Sequence, residues 1–291
     1  MNNHVKSPRR PALEIDDVNL SMKVREDAVS LERETGKEKR KLLYRPDDCT
    51  GCGLCFNACP VGAITPGPPG VILKDLAKAP HMVLSPEICS LCGICAGVCI
   101  FNAIDVEIDG KSIKDLPDYP RYKKGYTFDQ GKCKPKDGAL CKDCEEACPR
   151  DAIKAKLLGT KNTIERDERK CIYCSNCEVA CPEDAITVKK IFDGTVDVDL
   201  DKCQGCGVCF DICPSGAITV PKPKKPGEKP NKIEIDSVIC AFCGACELSC
   251  PVDAITVKRK KVNYIKSKGK AWTKTWEKAF LDTLLKEEVA E

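Results

Sequence analysis

The chain has 291 residues, with 47 Lys and Arg against 44 Asp and Glu, a formal net charge of +3, and only 5% aromatic residues. That balance excludes binding of polyanions by bulk charge, so no nucleic-acid partner is expected, and so few aromatic side chains cannot fill two ordinary hydrophobic cores. No run of 18 apolar residues occurs, so no membrane span is expected, and the polar start lacks the apolar stretch of a secretion signal, which points to a cytoplasmic protein.

Residues 1–43 are polar and highly charged. From about Ser21 to Lys41, the positions of Met22, Val24, Ala28, Val29 and Leu31 read as helical, and the segment is expected to be an N-terminal arm, either solvated or ordered by a partner.

From residue 44 the chain is organised by cysteine. There are 24 cysteines, and six groups of four use all of them. The groups are Cys49, Cys52, Cys55 and Cys59; Cys89, Cys92, Cys95 and Cys99; and Cys133, Cys141, Cys144 and Cys148. They continue with Cys171, Cys174, Cys177 and Cys181; Cys203, Cys206, Cys209 and Cys213; and Cys240, Cys243, Cys246 and Cys250. The clearest group, Cys203-Gln-Gly-Cys206-Gly-Val-Cys209-Phe-Asp-Ile-Cys213-Pro214, reads C-x2-C-x2-C-x3-C-P, the run by which bacterial-type ferredoxins hold [4Fe–4S] clusters. Three thiolates in one loop cap three irons of one cube, and the fourth reaches an iron of a second cube. Zinc knuckles lack the third C-x2-C step and the trailing Pro, and His4 and His81 are the only histidines for mixed sites. All 24 cysteines are therefore candidate cluster ligands, and six [4Fe–4S] clusters are expected. The cubes would replace most of the missing core by cross-linking distant segments, so the bare protein should not fold. They would also add about −12 to the formal charge, bringing it near −9.

Each cysteine group sits in a repeating unit, a short strand, a cysteine loop, one or two helical turns, and an Ala-Ile pair opening the next strand. The pairs are Ala63-Ile64, Ala103-Ile104, Ala152-Ile153, Ala185-Ile186, Ala217-Ile218 and Ala254-Ile255, each at nearly constant distance from its last cysteine, so the isoleucine is expected against a cube. Strands leading into units alternate apolar and polar residues, as in Tyr126-Thr-Phe-Asp, Val196-Asp-Val-Asp-Leu and Ile233-Glu-Ile-Asp.

The expected fold is α+β, three bacterial-type 2[4Fe–4S] ferredoxin domains, tandem or nested, with a polar N-terminal arm and a C-terminal helix. The divisions are 1–43 for the arm, 44–110 for the first domain, 111–125 for a linker, 126–190 and 191–257 for the second and third domains, and 258–291 for a basic segment (Lys258, Arg259, Lys260, Lys261) and an amphipathic helix carrying Trp272, Trp276, Phe280, Leu284 and Leu285. Pro66 to Gly70 and Pro221 to Gly227 read as exposed loops. Tandem pairing follows chain order, whereas Ile191-Phe-Asp193-Gly194-Thr between units four and five carries a hairpin signal that would make a nested pair. In the tandem arrangement Cys49, Cys52, Cys55 take Cys99; Cys89, Cys92, Cys95 take Cys59; and Cys133, Cys141, Cys144 take Cys181. Cys171, Cys174, Cys177 take Cys148; Cys203, Cys206, Cys209 take Cys250; and Cys240, Cys243, Cys246 take Cys213. Nesting reshuffles only fourth ligands.

Two units deviate. Lys134 to Gly138 is read as an insertion that loops out and returns Cys133 to its iron, with a three-iron cluster or Asp137 as a ligand the alternatives; the second unit ends Cys99-Ile100 in place of Cys-Pro. Glycines at 53, 93, 207 and 244 allow backbone N–H groups to approach sulfur, while the third and fourth units carry Lys142-Asp143, Ile172-Tyr173 and Ser175-Asn176, so unequal potentials are expected. Catalytic signatures are absent: Gly110-Lys-Ser112 resembles the end of a phosphate loop, but Asp105 stands where its first glycine should be.

Six such units over residues 44–257 resemble an archaeal polyferredoxin. Cys49-Thr-Gly-Cys52-Gly-Leu-Cys55, Ser90-Leu-Cys92-Gly-Ile-Cys95 and Ile108-Asp-Gly-Lys-Ser-Ile113 are similar to the polyferredoxin subunit of formylmethanofuran dehydrogenase, a tungsten or molybdenum enzyme of methanogenesis. The resemblance implies an electron-transfer subunit without catalysis of its own, docking on catalytic and small ferredoxin subunits of a hetero-oligomeric oxidoreductase complex. A hydrogenase or heterodisulfide reductase, or a soluble ferredoxin, is the alternative redox partner. An iron–sulfur store or structural scaffold is the alternative of another class.

Overall fold

The computed structural model describes residues 19–67 (26 apart), 81–116, 119, 121–136, 138–159, 161–221, 233–265 and positions 277, 281, 282, 284 and 285. The architecture is α+β. Among the described residues six helices of one turn, α1 (Leu54–Ala58), α2 (Ile94–Val98), α3 (Asp143–Glu146), α4 (Asn176–Val179), α5 (Val208–Asp211) and α6 (Ala245–Leu248), each begin beside the third cysteine of a loop. Their brevity follows from the motif: three residues separate the third cysteine from the fourth, and the chain must then turn back into a strand.

The strands are β1 (Asn19–Val24), β2 (Val29–Glu34), β3 (Lys39–Tyr44), β4 (Ile64–Pro66), β5 (Met82–Leu84), β6 (Ile104–Ile108), β7 (Lys111–Ser112), β8 (Arg121–Tyr122) and β9 (Gly125–Phe128). There follow β10 (Ile153–Leu158), β11 (Lys161–Arg166), β12 (Ile186–Lys189), β13 (Phe192–Val198), β14 (Ile218–Thr219), β15 (Glu234–Ile235), β16 (Ile255–Val262) and β17 (Tyr264–Ile265). The register shows which units share ladders. Strand β3 pairs antiparallel with β6 and β4 with β5, β9 pairs with β12 and β10 with β11, and β13 pairs with β16 and β14 with β15. The same partnership is written in six hydrogen bonds of 2.8 Å, in which each Ala-Ile alanine carbonyl accepts the N–H that ends the mate's leading strand: Ser85 to Ala63, Arg45 to Ala103, Asp167 to Ala152, Asp129 to Ala185, Asp236 to Ala217 and Asp199 to Ala254. Both members of all six Ala-Ile pairs are buried.

Four local expectations are corrected. The stretch from Ser21 to Lys41 is not helical. It forms β1, β2 and β3, which extend the first ladder into a five-stranded sheet in the order β1-β2-β3-β6-β7. A period of two wins over 3.6 because Leu31, Leu42 and Val106 stand opposite one another on adjacent strands and are all fully buried. Asp193-Gly194 is not a hairpin turn. It lies inside β13, where the register against β16 slips by one, a bulge that leaves no room for a side chain: a Cβ on Gly194 would collide with the Lys258 carbonyl oxygen.

Residues 111–125 do not form a free linker. Ile113 is buried over Gly93, the Tyr119 hydroxyl donates to the Gly93 carbonyl, the buried Tyr122 hydroxyl donates to the Val98 carbonyl at 2.9 Å, and β8 pairs with β17. Finally, Lys258 to Lys261, expected in a basic segment following the third domain, belong to β16 and so to the last ladder, and Arg259 is only 3% exposed. Of the expected C-terminal helix, Trp272, Trp276 and Phe280 lie outside the described residues, while Leu284 is fully buried. The loop segments 68–80 and 222–232 lie outside them too.

The largest core lies where three ladders meet. It gathers Leu54, Val98, Ile100 and Phe101 from units one and two, Ile172 and Tyr173 from unit four, and Phe192, Phe242, Ala245, Val257 and Leu284 from further along. Ile100, standing where other units have proline, is thus a core residue.

Candidate iron–sulfur sites

The loop geometry comes first. In five units the residue before the second cysteine has positive φ (Gly51 +66°, Leu91 +53°, Tyr173 +57°, Gly205 +65°, Phe242 +49°), as does the one after it (Gly53, Gly93, Ser175, Gly207, Gly244). Two left-handed residues flanking one cysteine fold the loop back on itself and aim backbone N–H groups inward, towards sulfur. Gly51 N–H approaches Cys49, Leu91 N–H Cys89, Asn176 N–H Cys174 and Ala245 N–H Cys243, and Phe242 N–H donates to Cys240 Sγ at 3.4 Å. Leu91, Tyr173 and Phe242 adopt this conformation at the cost of backbone strain, and their burial offsets it.

The fourth cysteine is fixed by the Ala-Ile turn. Alanine N–H groups donate to its sulfur in five units, Ala63 to Cys59, Ala152 to Cys148, Ala185 to Cys181, Ala217 to Cys213 and Ala254 to Cys250, at 3.2–3.3 Å. The third unit departs in its loop. Lys136 and Ala139 exchange backbone hydrogen bonds of 3.0 and 2.9 Å across a tight turn, and Asn162 Nδ2 holds the Lys134 carbonyl at 2.9 Å, so the insertion projects as its own small loop while Cys133 stays beside Cys141 and Cys181.

Three enclosed, apolar hollows are each ringed by four cysteines: Cys49, Cys52, Cys55, Cys99; Cys148, Cys171, Cys174, Cys177; and Cys213, Cys240, Cys243, Cys246. The remaining thiols gather in the same manner. Cys95 faces Cys92, Cys89 and Cys59; Cys144 faces Cys141, Cys133 and Cys181; Cys209 faces Cys206 and Cys203 and shares a small core with Cys250. No group of three or more Cys, His, Asp or Glu among the described residues converges on a single-ion site. The thiols surround volumes instead.

Burial, then crowding by the other thiols of each set, pushes Cys55 and Cys177 up to about 12 and Cys144 and Cys209 up to about 11. Four thiolates can share such a hollow only around a cationic core, and filling it must release protons. Among the described residues three buried hydroxyls have no oxygen or nitrogen partner, those of Tyr44, Thr50 and Tyr126, and two of them point at thiols, Tyr44 at Cys49 and Tyr126 at Cys177. Each is a donor that a cluster's sulfur would satisfy. Donors, enclosure and thiol count therefore fit a [4Fe–4S] cube. Sequence reasoning missed both tyrosines; their only signal is an aromatic residue on a strand leading into a cysteine loop.

Comparison with known proteins agrees with this geometry. Residues 170–217 and 202–254 match a model described as a 4Fe-4S dicluster domain, residues 139–186 a second model so described, and residues 43–65 a 4Fe-4S binding domain. The polyferredoxin protein FwdF of Methanocaldococcus jannaschii is 41% identical over 59 residues, 20% of this chain and 17% of that protein. An uncharacterized ferredoxin of the same organism is 56% identical over 23 residues, 8% of this chain and 37% of its own. Both stretches thus span well under two thirds of those relatives. A chain in the solved formate dehydrogenase–heterodisulfide reductase–formylmethanofuran dehydrogenase complex from Methanospirillum hungatei is similar over 91% of both chains, with a TM-score of 0.77 and 29% identity. The chain is a polyferredoxin.

In this polyferredoxin the six thiol sets fall into two classes. Thiols of the three hollows line the central core, and no thiol of the other sets belongs to it. The core sets adjoin pairwise. The Cys52 carbonyl oxygen lies 3.5 Å from where a Cβ on Gly244 would stand, linking the first hollow to the Cys243 loop. Phe101, two residues past Cys99, carries the Arg150 guanidinium 5.7 Å from its ring centroid, and Arg150 is two residues past Cys148. Asn176 Nδ2 donates both to Cys174 Sγ at 3.3 Å and to the Ser215 carbonyl at 2.8 Å, two residues past Cys213. Each outer set has one buried thiol, Cys95, Cys144 or Cys209, and two of these sets also present an exposed one, Cys92 and Cys206.

Proposed function

We propose that this polyferredoxin holds six [4Fe–4S] clusters, one per thiol set, in three two-cluster domains spanning 44–110, 126–190 and 191–257, and that it relays electrons within a formylmethanofuran dehydrogenase complex. Bound there, each cluster would supply reversible one-electron transfer without proton chemistry. The protein's part is to bind, orient and dry the sites. Backbone N–H groups and the Tyr44 and Tyr126 hydroxyls favour added negative charge, and the buried Ala-Ile pairs exclude water from one wall of each site.

The observation that carries this reading is the set of three hollows, each walled by four cysteines, adjoining one another at the junction of three ladders. A store needs no such convergence. With an outer set behind each hollow, the arrangement suits a branched conduit with three ends. The likeness to the M. hungatei chain supports assembly with other subunits of such a complex, and the proposal extends this to catalytic and small ferredoxin subunits and to a cytoplasmic location. Among the described residues no helix is long and apolar enough to cross a membrane. Because the M. hungatei complex also contains heterodisulfide reductase, a partnership there is the second reading. Anaerobic affinity purification of the tagged chain from its native source, with metal analysis, tests the first. Tungsten or molybdenum should copurify in near-constant ratio to the chain; purification with a hydrogenase or heterodisulfide reductase and neither metal would overturn it.

A further inference from the structure

We propose that Arg259 and Lys190 together raise the reduction potential of the site of Cys213, Cys240, Cys243 and Cys246, one of the three inner sites. This rests on reading those thiols as a cluster site. Arg259 is 3% exposed, yet its hydrogen-bond partners are backbone carbonyls: Nε donates to Phe242 at 2.7 Å, Nη2 to Cys243 at 2.6 Å and Nη1 to Leu284 at 3.4 Å. Its guanidinium also lies 5.2 Å from the Phe192 ring centroid. Lys190 approaches the same loop from another side, donating to the carbonyls of Ser237 at 2.8 Å and Cys240 at 3.0 Å and lying 5.2 Å from the Phe242 ring centroid. Neither cation makes a salt bridge within 4.0 Å to a described carboxylate, although Asp193 and Asp236 lie near Lys190 and Glu247, Asp253 and Asp282 line the cleft beside Arg259.

A desolvated cation held by no direct salt bridge is costly unless negative charge lies nearby. Carbonyl dipoles supply part of the compensation. A four-thiolate cube carries net negative charge, and it gains another on reduction, so two cations against one ligand loop favour its reduced state. Cations reach the other inner sites as well. The Cys49 site shares only Arg259, through the cleft between Cys52 and Gly244. At the Cys171 site the Arg166 guanidinium reaches the Cys171 sulfur while pairing with Glu168 at 2.7 Å, and Lys190 lies near Cys174 as well. Asn176 adds a neutral donor there but no charge.

The test is an anaerobic redox titration of the full-length, cluster-loaded chain followed by electron paramagnetic resonance, comparing the parent with Arg259→Gln, Arg259→Lys and Lys190→Gln. Cys246→Ser identifies the signal of the site. The expected result is that Arg259→Gln and Lys190→Gln both move that signal to lower potential, that Arg259→Lys restores most of the shift, and that the outer-site signals stay in place. Unchanged potentials at full iron content, or shifts in two different signals, would overturn the inference. Should Arg259→Gln fail to load clusters, the half-exposed Lys190→Gln decides alone. If the parent shows no signal that Cys246→Ser alters, the cluster reading of the site itself fails, a separate outcome.

Discussion

Replacing Phe192 with alanine tests whether the central core holds the three inner sites together. Phe192 is 1% exposed, packs edge-on against Tyr122 at 5.5 Å between centroids, and carries the Arg259 guanidinium on its ring. Truncating a buried phenylalanine costs about 3–5 kcal/mol, and an aromatic pair adds about 0.5–1.5 kcal/mol beyond area. For a chain of this size each kcal/mol is worth about 2–4 °C, so the thermal midpoint should fall by about 10 °C or more. The assay is the anaerobic loss of the broad charge-transfer absorbance of iron–sulfur clusters on heating at fixed scan rate. Phe210→Ala, at a position 54% exposed, is the control and should move the midpoint by less than about 2 °C. A Phe192→Ala midpoint equal to that of the control would refute the idea that this core, rather than each domain by itself, secures the inner sites.

Removing Cys133 and Cys181 together should lower the iron content by about four atoms per chain, because both belong to one site; a loss of about eight would favour the nested ligand pairing. Tyr44→Phe deletes a hydroxyl aimed at Cys49 while keeping the ring, so one inner signal should move to lower potential in a redox titration with stability nearly unchanged, and an unmoved set of potentials would count against the donor role. Gly194→Ala places a methyl group against the Lys258 carbonyl and should destabilise the third ladder by about 1–3 kcal/mol, read as faster cluster loss in denaturant than in the parent.

The chemistry of the chain was legible from spacing, since a cube imposes C-x2-C-x2-C-x3-C on any sequence that binds it. The Ala-Ile repeat was legible for the same local reason, its N–H being the donor that fixes the fourth sulfur. Long-range features were not. Met22, Val24, Val29 and Leu31 fit helical and extended spacing almost equally, and only the partner strand with Leu42 and Val106 decides between them. Asp193-Gly194 carries a turn signal, yet glycine there serves the close approach of β16. Arg259 stands within a run of basic residues whose neighbours face solvent. Nothing local reveals that one side chain of the four turns inward, because its acceptors are carbonyls of a loop sixteen and seventeen residues earlier.

The proposal that every thiol anchors a cube is most directly tested by counting. Chain purified without oxygen, or reconstituted with iron and sulfide, should contain about 24 iron atoms and as many inorganic sulfides per polypeptide, measured with quantitative amino-acid analysis. A plateau far below that number, or zinc filling the sites in place of iron, would contradict it.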